Sequence, residues 1–294
     1  MGKKLLQKYS RSVYQLMSNY QRAAKHDKSM SFATRQNRTE RLVEMGRNLH
    51  ELGYQVPSVR NIKPKHIEVL VAHWQSQQLT IGSIKNRLSD IRYTCDILSR
   101  PNVVRPLNSD YGIGSRGTLP PHNRAIHAIA LEKITDQHLR CSLALQSLFG
   151  LRREECRKIE PHTADTGDFL ALKPSWTKGG IFRQIPIKSP QQREWLDKAK
   201  ALVKPKESLI PKGSTYIQQR HAYDSAARRI LKVNNLHGLR HAYAQERYRQ
   251  LTQCEPPINA KKEAIPPHND KKARHDIAKE LGHSRVEVTK VYLG

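Results

Sequence analysis

The chain is short of acidic residues and of cysteines that could pair. Its 294 residues hold 26 Asp and Glu against 52 Lys and Arg, a formal net charge of +26. That imbalance points to a polyanionic partner, most simply nucleic acid. Cys95, Cys141, Cys156 and Cys254 stand far apart, so they suggest neither a disulfide framework nor a zinc ribbon. They read as reduced thiols behaving as small hydrophobes. No apolar run approaches the roughly 18 residues of a membrane-spanning helix, and the opening MGKKLLQKYS lacks the h-region of a signal peptide. The chain therefore reads as cytoplasmic. It also lacks internal repeats and low-complexity tracts. Hydrophobic residues still make up 37% of it, enough for ordinary cores, and the length suits two domains.

Residues 1–30 are basic, with Leu5, Leu6, Val13, Leu16, Met17 and Tyr20 at loosely helical spacing, and read as a short helix or an arm. From 31 to 100 a helical period recurs in Leu42, Val43, Met45, Leu49 and Leu52, then Ile67, Leu70, Val71 and Trp74, then Ile84, Leu88, Ile91 and Cys95. Three or four helices in a compact module are expected. On them Arg35, Arg38 and Arg41 recur every three residues, and Lys85, Arg87 and Arg92 decorate a second helix. Such rows are either a solvated basic face or a face lying along phosphates. The stretch 101–121, rich in Pro, Gly, Ser and Asn, reads as a linker. In 122–294, AIHAIALEKITDQHLRCSLALQSLFG suggests helical segments, and DFLALKPSWTKGGIFRQIPI suggests a hairpin around a Lys-Gly-Gly turn. The fold class expected is mainly α with a small antiparallel β-sheet, a helical domain followed by a mixed α+β domain.

Three segments carry chemistry-bearing residues. In LFGLRREECRKI, Arg152 lies three residues before Glu155, which alone is an ordinary helical pair. In NNLHGLRHAYAQERYRQ, His237 and Arg240 lie one helical turn apart. His237 and His241 could form half of a zinc site, but there is no H-E-x-x-H pattern and no paired Cys to complete it, so no metal is expected. The third segment, LGHSRVEVTKVYLG, ends the chain with His283 and Tyr292.

In this order, GLRREE, the Lys of TKGG, HGLRH, LGH and a Tyr nine residues after that His resemble the catalytic domain of the tyrosine recombinases, the phage-integrase family. The resemblance spans roughly residues 125–294; the helical module before it is similar to that family's core-binding domain in pattern and position. It implies catalytic roles for Arg152, Lys178, His237, Arg240, His283 and Tyr292, with Glu155 supporting Arg152. It further implies double-stranded DNA at specific attachment sites as partner, a homotetramer on two duplexes, a possible accessory DNA-bending or directionality factor, and no cofactor. Two guanidiniums suit a phosphodiester because each can donate paired hydrogen bonds to non-bridging oxygens. A phenol, with an ordinary pKa of about 10, needs cationic surroundings and a route for its proton. His237 is expected to accept that proton or to orient the phenol, His283 to bond the phosphate, and Lys178 to protonate the leaving 5′ oxygen. The 3′-phosphotyrosyl polarity comes from the resemblance alone.

Two departures from the family pattern stand out. Only Leu293 and Gly294 follow Tyr292, so either the chain is truncated or another element, with 1–30 the spare candidate, makes subunit contacts. A Pro- and Lys-rich insertion occupies roughly 252–275 and reads as a surface loop or a contact for DNA or a partner. Rival readings are a type IB topoisomerase-like enzyme that cuts and reseals one strand, and a non-catalytic basic DNA-binding protein. Acidic residues of the second domain, such as Asp165, Asp168 and Asp197, are scattered, which disfavours a two-metal nuclease.

Overall fold

The computed structural model describes residues 2–23, 31–117, 119, 122–260 and 267–294. The end of the basic N-terminal segment (24–30), the end of the expected linker (118, 120 and 121) and part of the insertion (261–266) lie outside the described residues. The chain divides into two compact units, Met1–Arg116 and Gly117–Gly294.

The first unit is helical: α1 (Gly2–Ala23), α2 (Phe32–Glu51), α3 (Pro64–Ser76) and α4 (Ile81–Ile97). Each start carries its signal in the sequence. The Ser31 hydroxyl accepts from Thr34 N, that of Thr80 accepts from Ser83 N, and Pro64 opens α3 where no amide donor is needed. The apolar period found in the sequence forms the core, with Leu42, Met45, Leu49, Ile67, Leu70, Trp74, Leu88 and Ile91 buried. Of the helix and the arm expected for residues 1–30, residues 2–23 form the helix: α1 lays Tyr9, Val13, Leu16 and Met17 into this core, with the Tyr9 ring directly against Gly46. The start of the expected linker is packed. Val103, Val104 and Ile113 are buried in the same core, and Arg92 donates to the Arg105 carbonyl at 3.0 and 2.9 Å. Pro and Gly there serve short 3₁₀ turns at Pro101–Val103 and Ser109–Tyr111.

The second unit contains α5 (Gln137–Phe149), α6 (Glu155–Lys158), α7 (Pro161–Ala164), β1 (Phe169–Leu172), β2 (Arg183–Pro186), α8 (Pro190–Leu202), α9 (Tyr216–Ser225), α10 (Gly238–Thr252), α11 (Asp270–Glu280) and α12 (Lys290–Leu293). The two strands pair antiparallel, Phe169 opposite Pro186 and Leu172 opposite Arg183, as the alternation around TKGG predicts. α5 runs through the core, with Leu143, Leu145 and Phe149 fully buried. The expected helical stretch from 125 is shorter than predicted: Asp136 accepts from Leu139 N and starts α5 there, while Ile126 is spent on a hydrogen bond to the Gly238 carbonyl. The insertion is partly structured. Asp270 begins α11 and accepts from Tyr248 Oη, and Ile258 N donates to the Leu293 carbonyl at 2.7 Å, bracing α12. Among the described residues, no helix is long and apolar enough to cross a membrane, and no group of His, Cys, Asp and Glu could hold a metal ion.

Candidate active site

Two helix ends build the centre of the site. α5 stops at Gly150, which adopts φ +58°; α11 stops at Gly282, with φ +65°. Left-handed residues of this kind end helices and leave their last carbonyls facing outward. At α11, Gly282 N bonds the Lys279 carbonyl and His283 N bonds the Ala278 carbonyl, the paired closure of a Schellman cap. The Leu-Gly-His motif is thus a cap that fixes where His283 stands.

Arg240, in the first turn of α10, fills the space between these ends and is fully buried. Its NH1 donates to the Gly150 carbonyl at 2.6 Å and its NH2 to the Leu281 carbonyl. Among the described residues no carboxylate pairs with it. Partial negative charge at two helix C-termini takes that place. Burial, with the charges of Arg152 and Arg183, lowers its pKa to about 10, so it stays charged near neutrality. Gly238 is required just before it, because a Cβ there would meet the Arg124 carbonyl at 2.5 Å.

Tyr292 projects from α12 and is buried, at 4% exposure. Arg240 Nε donates to its Oη at 3.4 Å, and His283 Nε2 lies 3.2 Å from the same oxygen. His283 Nε2 also lies 3.3 Å from Arg240 NH2, and a guanidinium can only donate. That ring nitrogen is therefore the acceptor for Arg240, with the phenol oxygen beside it. Burial and the charges of Arg240 and Arg152 hold His283 down at about 4, so the ring is neutral. His237 sits just ahead of α10 at the exposed mouth. Desolvation of the ring, then the charges of Arg240 and Arg152, lower it to about 4 as well. Its ring is 6.2 Å from that of Tyr292, and His283, not His237, touches the phenol. Beside His237 opens a polar cavity of about 540 Å³ that Arg153, Asn235 and Arg228 also line.

Arg152 lies at the half-buried edge. Glu155 accepts from its backbone N at 2.6 Å and its NH1 at 2.8 Å, while NH2 reaches the Gly282 carbonyl at 3.3 Å. Burial would raise the Glu155 carboxyl, but hydrogen bonds and charge from Arg183, then Arg152, outweigh it and bring Glu155 to about 2. The structure therefore brings together Arg152, Glu155, Arg240, His283 and Tyr292, with His237 at the rim. Lys178 is exposed in the loop between β1 and β2, where Gly179 and Gly180 both adopt positive φ, and among the described residues no hydrogen bond ties it to the others.

Three neighbours escape a sequence reading. Arg183 binds Glu155, His241 lays its buried ring 4.6 Å from that of Tyr292, and Gln245 donates to the Tyr292 carbonyl at 3.1 Å. For Arg183 a signal existed. Strand alternation puts it on the inward face with Ile185.

The basic residues singled out on α2 and α4 behave differently from a row reaching into solvent. Arg38 and Arg41 on α2 both bind the buried Asp90 of α4, at 2.9 and 2.5 Å, and the Arg38 guanidinium stacks 3.5 Å over Tyr93. Arg87 lies 5.1 Å over the Trp74 ring. Arg35 and Lys85 are half-buried. Arg38 and Arg41 thus neutralise a buried carboxylate between two helices.

Residues 13–104 match a family model described as phage integrase, N-terminal, and residues 113–246 match one described as integrase. The chain belongs to the phage-integrase family, the tyrosine recombinases. The integrase match ends before His283 and Tyr292, so these two rest on geometry and motif order. No curated protein matches the chain in sequence. Among solved structures, it resembles a lambda integrase dimer bound to a core site (14% identity, TM-score 0.57, 92% of each chain) and XerH recombinase in a post-cleavage complex (16%, 0.53, all of this chain and 90% of that one). It also resembles the Tn1549 transposon integrase with circular-intermediate DNA (12%, 0.53, 95% of this chain and 94% of that one). At such identities the likeness is one of fold.

Proposed function

We propose that this protein is a site-specific DNA recombinase that integrates or excises a mobile element through a 3′-phosphotyrosyl intermediate. The observation that carries the reading is Tyr292 Oη held within one chain by Arg240 Nε and His283 Nε2, in a pocket that also holds Arg152.

In the proposed reaction a scissile phosphate enters at the His237 side and lies against Arg152, Arg240 and His237. Tyr292 Oη attacks phosphorus and its proton passes to His283 Nε2. An arriving phosphate offsets the guanidinium charges that depress this histidine, so substrate binding itself makes the base stronger. The P–O5′ bond breaks, and Lys178, carried in on its loop, protonates the departing oxygen. The bond energy stays in the phosphotyrosine, so the 5′ hydroxyl of another strand reverses the step and rejoins DNA. Donors already in place for the added charge of the transition state supply most of the acceleration.

Double-stranded DNA at attachment sites is the proposed substrate, with a tetramer on two duplexes as the working assembly; the similar lambda integrase is seen as a tetramer on a Holliday junction. An accessory DNA-bending or directionality factor and action on DNA in the cytoplasm belong to the same proposal, as do DNA-contact roles for Lys85 and Arg87. The test uses duplexes selected by binding from a randomised pool and then nicked near their centres. Wild type is expected to form a detergent-resistant adduct and Tyr292→Phe none. An undiminished adduct in that variant sinks the assignment.

A further inference from the structure

Arg183 lies outside the proposed reacting set, yet it touches each segment that positions it. Its side chain opens β2 and is buried, at 5% exposure. NH1 and NH2 take Glu155 as a fork at 2.9 and 2.6 Å, and Nε donates to the Glu280 carbonyl at 2.9 Å. Each Glu155 oxygen thereby serves two donors: Oε1 accepts from Arg183 NH1 and Arg152 NH1, Oε2 from Arg183 NH2 and the Arg152 amide. The other end of the contact is the α11 cap. Three successive carbonyls there each accept from a different guanidinium: Glu280 from Arg183, Leu281 from Arg240, and Gly282 from Arg152. Glu280 is fixed from the opposite side too, since its carboxylate accepts from Tyr243 Oη at 2.6 Å and from Arg247.

As a device for stability alone, a buried ion pair is a poor choice, because apolar replacements of similar volume are often as stable or more so. What it provides that packing cannot is direction. We propose that Arg183 is a positioning residue for DNA cleavage, setting Arg152 through Glu155 and His283 through the α11 cap without touching DNA. The inference rests on the recombinase reading above.

The experiment compares wild type, Arg183→Met, Arg183→Lys, Glu155→Gln and the double variant Glu155→Gln/Arg183→Met. Adduct formation is followed in a single turnover at saturating nicked duplex from the same binding selection, with affinity measured separately by mobility shift and folding by thermal melting. Arg183→Met is expected to bind DNA like wild type and to cleave on the order of 10²-fold more slowly, the scale of an ångström-sized misplacement. Arg183→Lys, which keeps charge but not the fork, is expected to recover only part of the rate. In the Glu155→Gln background Arg183→Met is expected to add little, because the two act as one unit. Cleavage by Arg183→Met should also begin to fall at a higher pH than wild type. Glu155 would then face only Arg152 closely, with Arg240 and His237 farther off, and would protonate at higher pH.

Wild-type cleavage by folded Arg183→Met overturns the inference. So does a full further loss in the Glu155→Gln background, or a loss of affinity that matches the loss of rate. Should Arg183→Met fail to fold, Arg183→Lys decides, and a wild-type rate there overturns the inference. A wild-type protein that forms no adduct refutes the recombinase reading instead.

Discussion

Gly282→Ala tests whether the α11 cap holds the guanidiniums. Gly282 adopts φ +65°, and an alanine forced into that conformation costs about 1–2 kcal/mol. Its Cβ would also stand 3.0 Å from Arg183 Cδ and 3.1 Å from Arg183 NH1, so the guanidinium must give way. For a unit of this size the backbone cost alone lowers Tm by roughly 2–8 °C. The effect on cleavage is expected to be disproportionate. The Leu281 and Gly282 carbonyls, which accept from Arg240 and Arg152, move with the cap. Adduct formation is expected to fall on the order of 10²-fold. Gly213→Ala is the control: φ there is +82°, but nothing lies within 4 Å of a new Cβ. It should lower Tm by a similar backbone amount and leave cleavage unchanged. If Gly282→Ala melts lower yet forms adduct at the wild-type rate, the helix-end carbonyls do not position the site and the reasoning fails.

Lys178→Met is expected to slow adduct formation on an ordinary duplex but not on one whose 5′-bridging oxygen is replaced by sulfur, because a thiolate leaves without a proton; equal slowing on both would remove Lys178 as the acid. The folded chain holds His237, His241 and His283 near 4, burial being the first cause for each. Unfolded histidines titrate near about 6.5 and bind protons first, so these three support the fold above that pH and withdraw support as pH falls toward about 4. Melting of the second unit across that window should track the loss, and a flat profile would count against neutral rings at these positions. Asp90→Ala, which strips Arg38 and Arg41 of their carboxylate, is expected to cost about 3 kcal/mol in urea unfolding, the low end for a broken buried pair because Arg41 can turn to solvent. A cost near zero would return both arginines to the solvated face first considered for them.

The helices were legible because their apolar period is what packs: Leu42, Met45 and Leu49, or Ile84, Leu88 and Ile91, form one stripe each. Gly150 and Gly282 end α5 and α11 at positive φ, but that their helix-end carbonyls would accept from Arg donors is a tertiary fact. Residues 101–113 misled because a Pro-, Gly- and Asn-rich composition reports turns, and turns can pack into a core when Val103, Val104 and Ile113 point inward. Arg38 and Arg41 misled for a related reason. Their spacing shows that they share a face, while the Asp90 that faces them comes from another helix 49 positions beyond Arg41. The roles of His237 and His283 could not be separated in sequence, since the cap geometry that carries one ring to the phenol is a tertiary fact.

The charge count of the site explains why Arg240 is held by carbonyls. Arg152, Arg183 and Arg240 contribute three positive charges and Glu155 one negative, while His237 and His283 are neutral, so the cluster carries 3 − 1 = +2. In the proposed reaction a phosphodiester brings one negative charge, and a second develops on its oxygens as the phenol proton moves to His283. The fixed guanidiniums thus stand where negative charge grows between ground and transition state, the difference that accelerates a reaction. A second carboxylate, placed on Arg240, would oppose that growth. Helix-end carbonyls can orient a buried guanidinium through partial charge alone and leave its full charge for the phosphate.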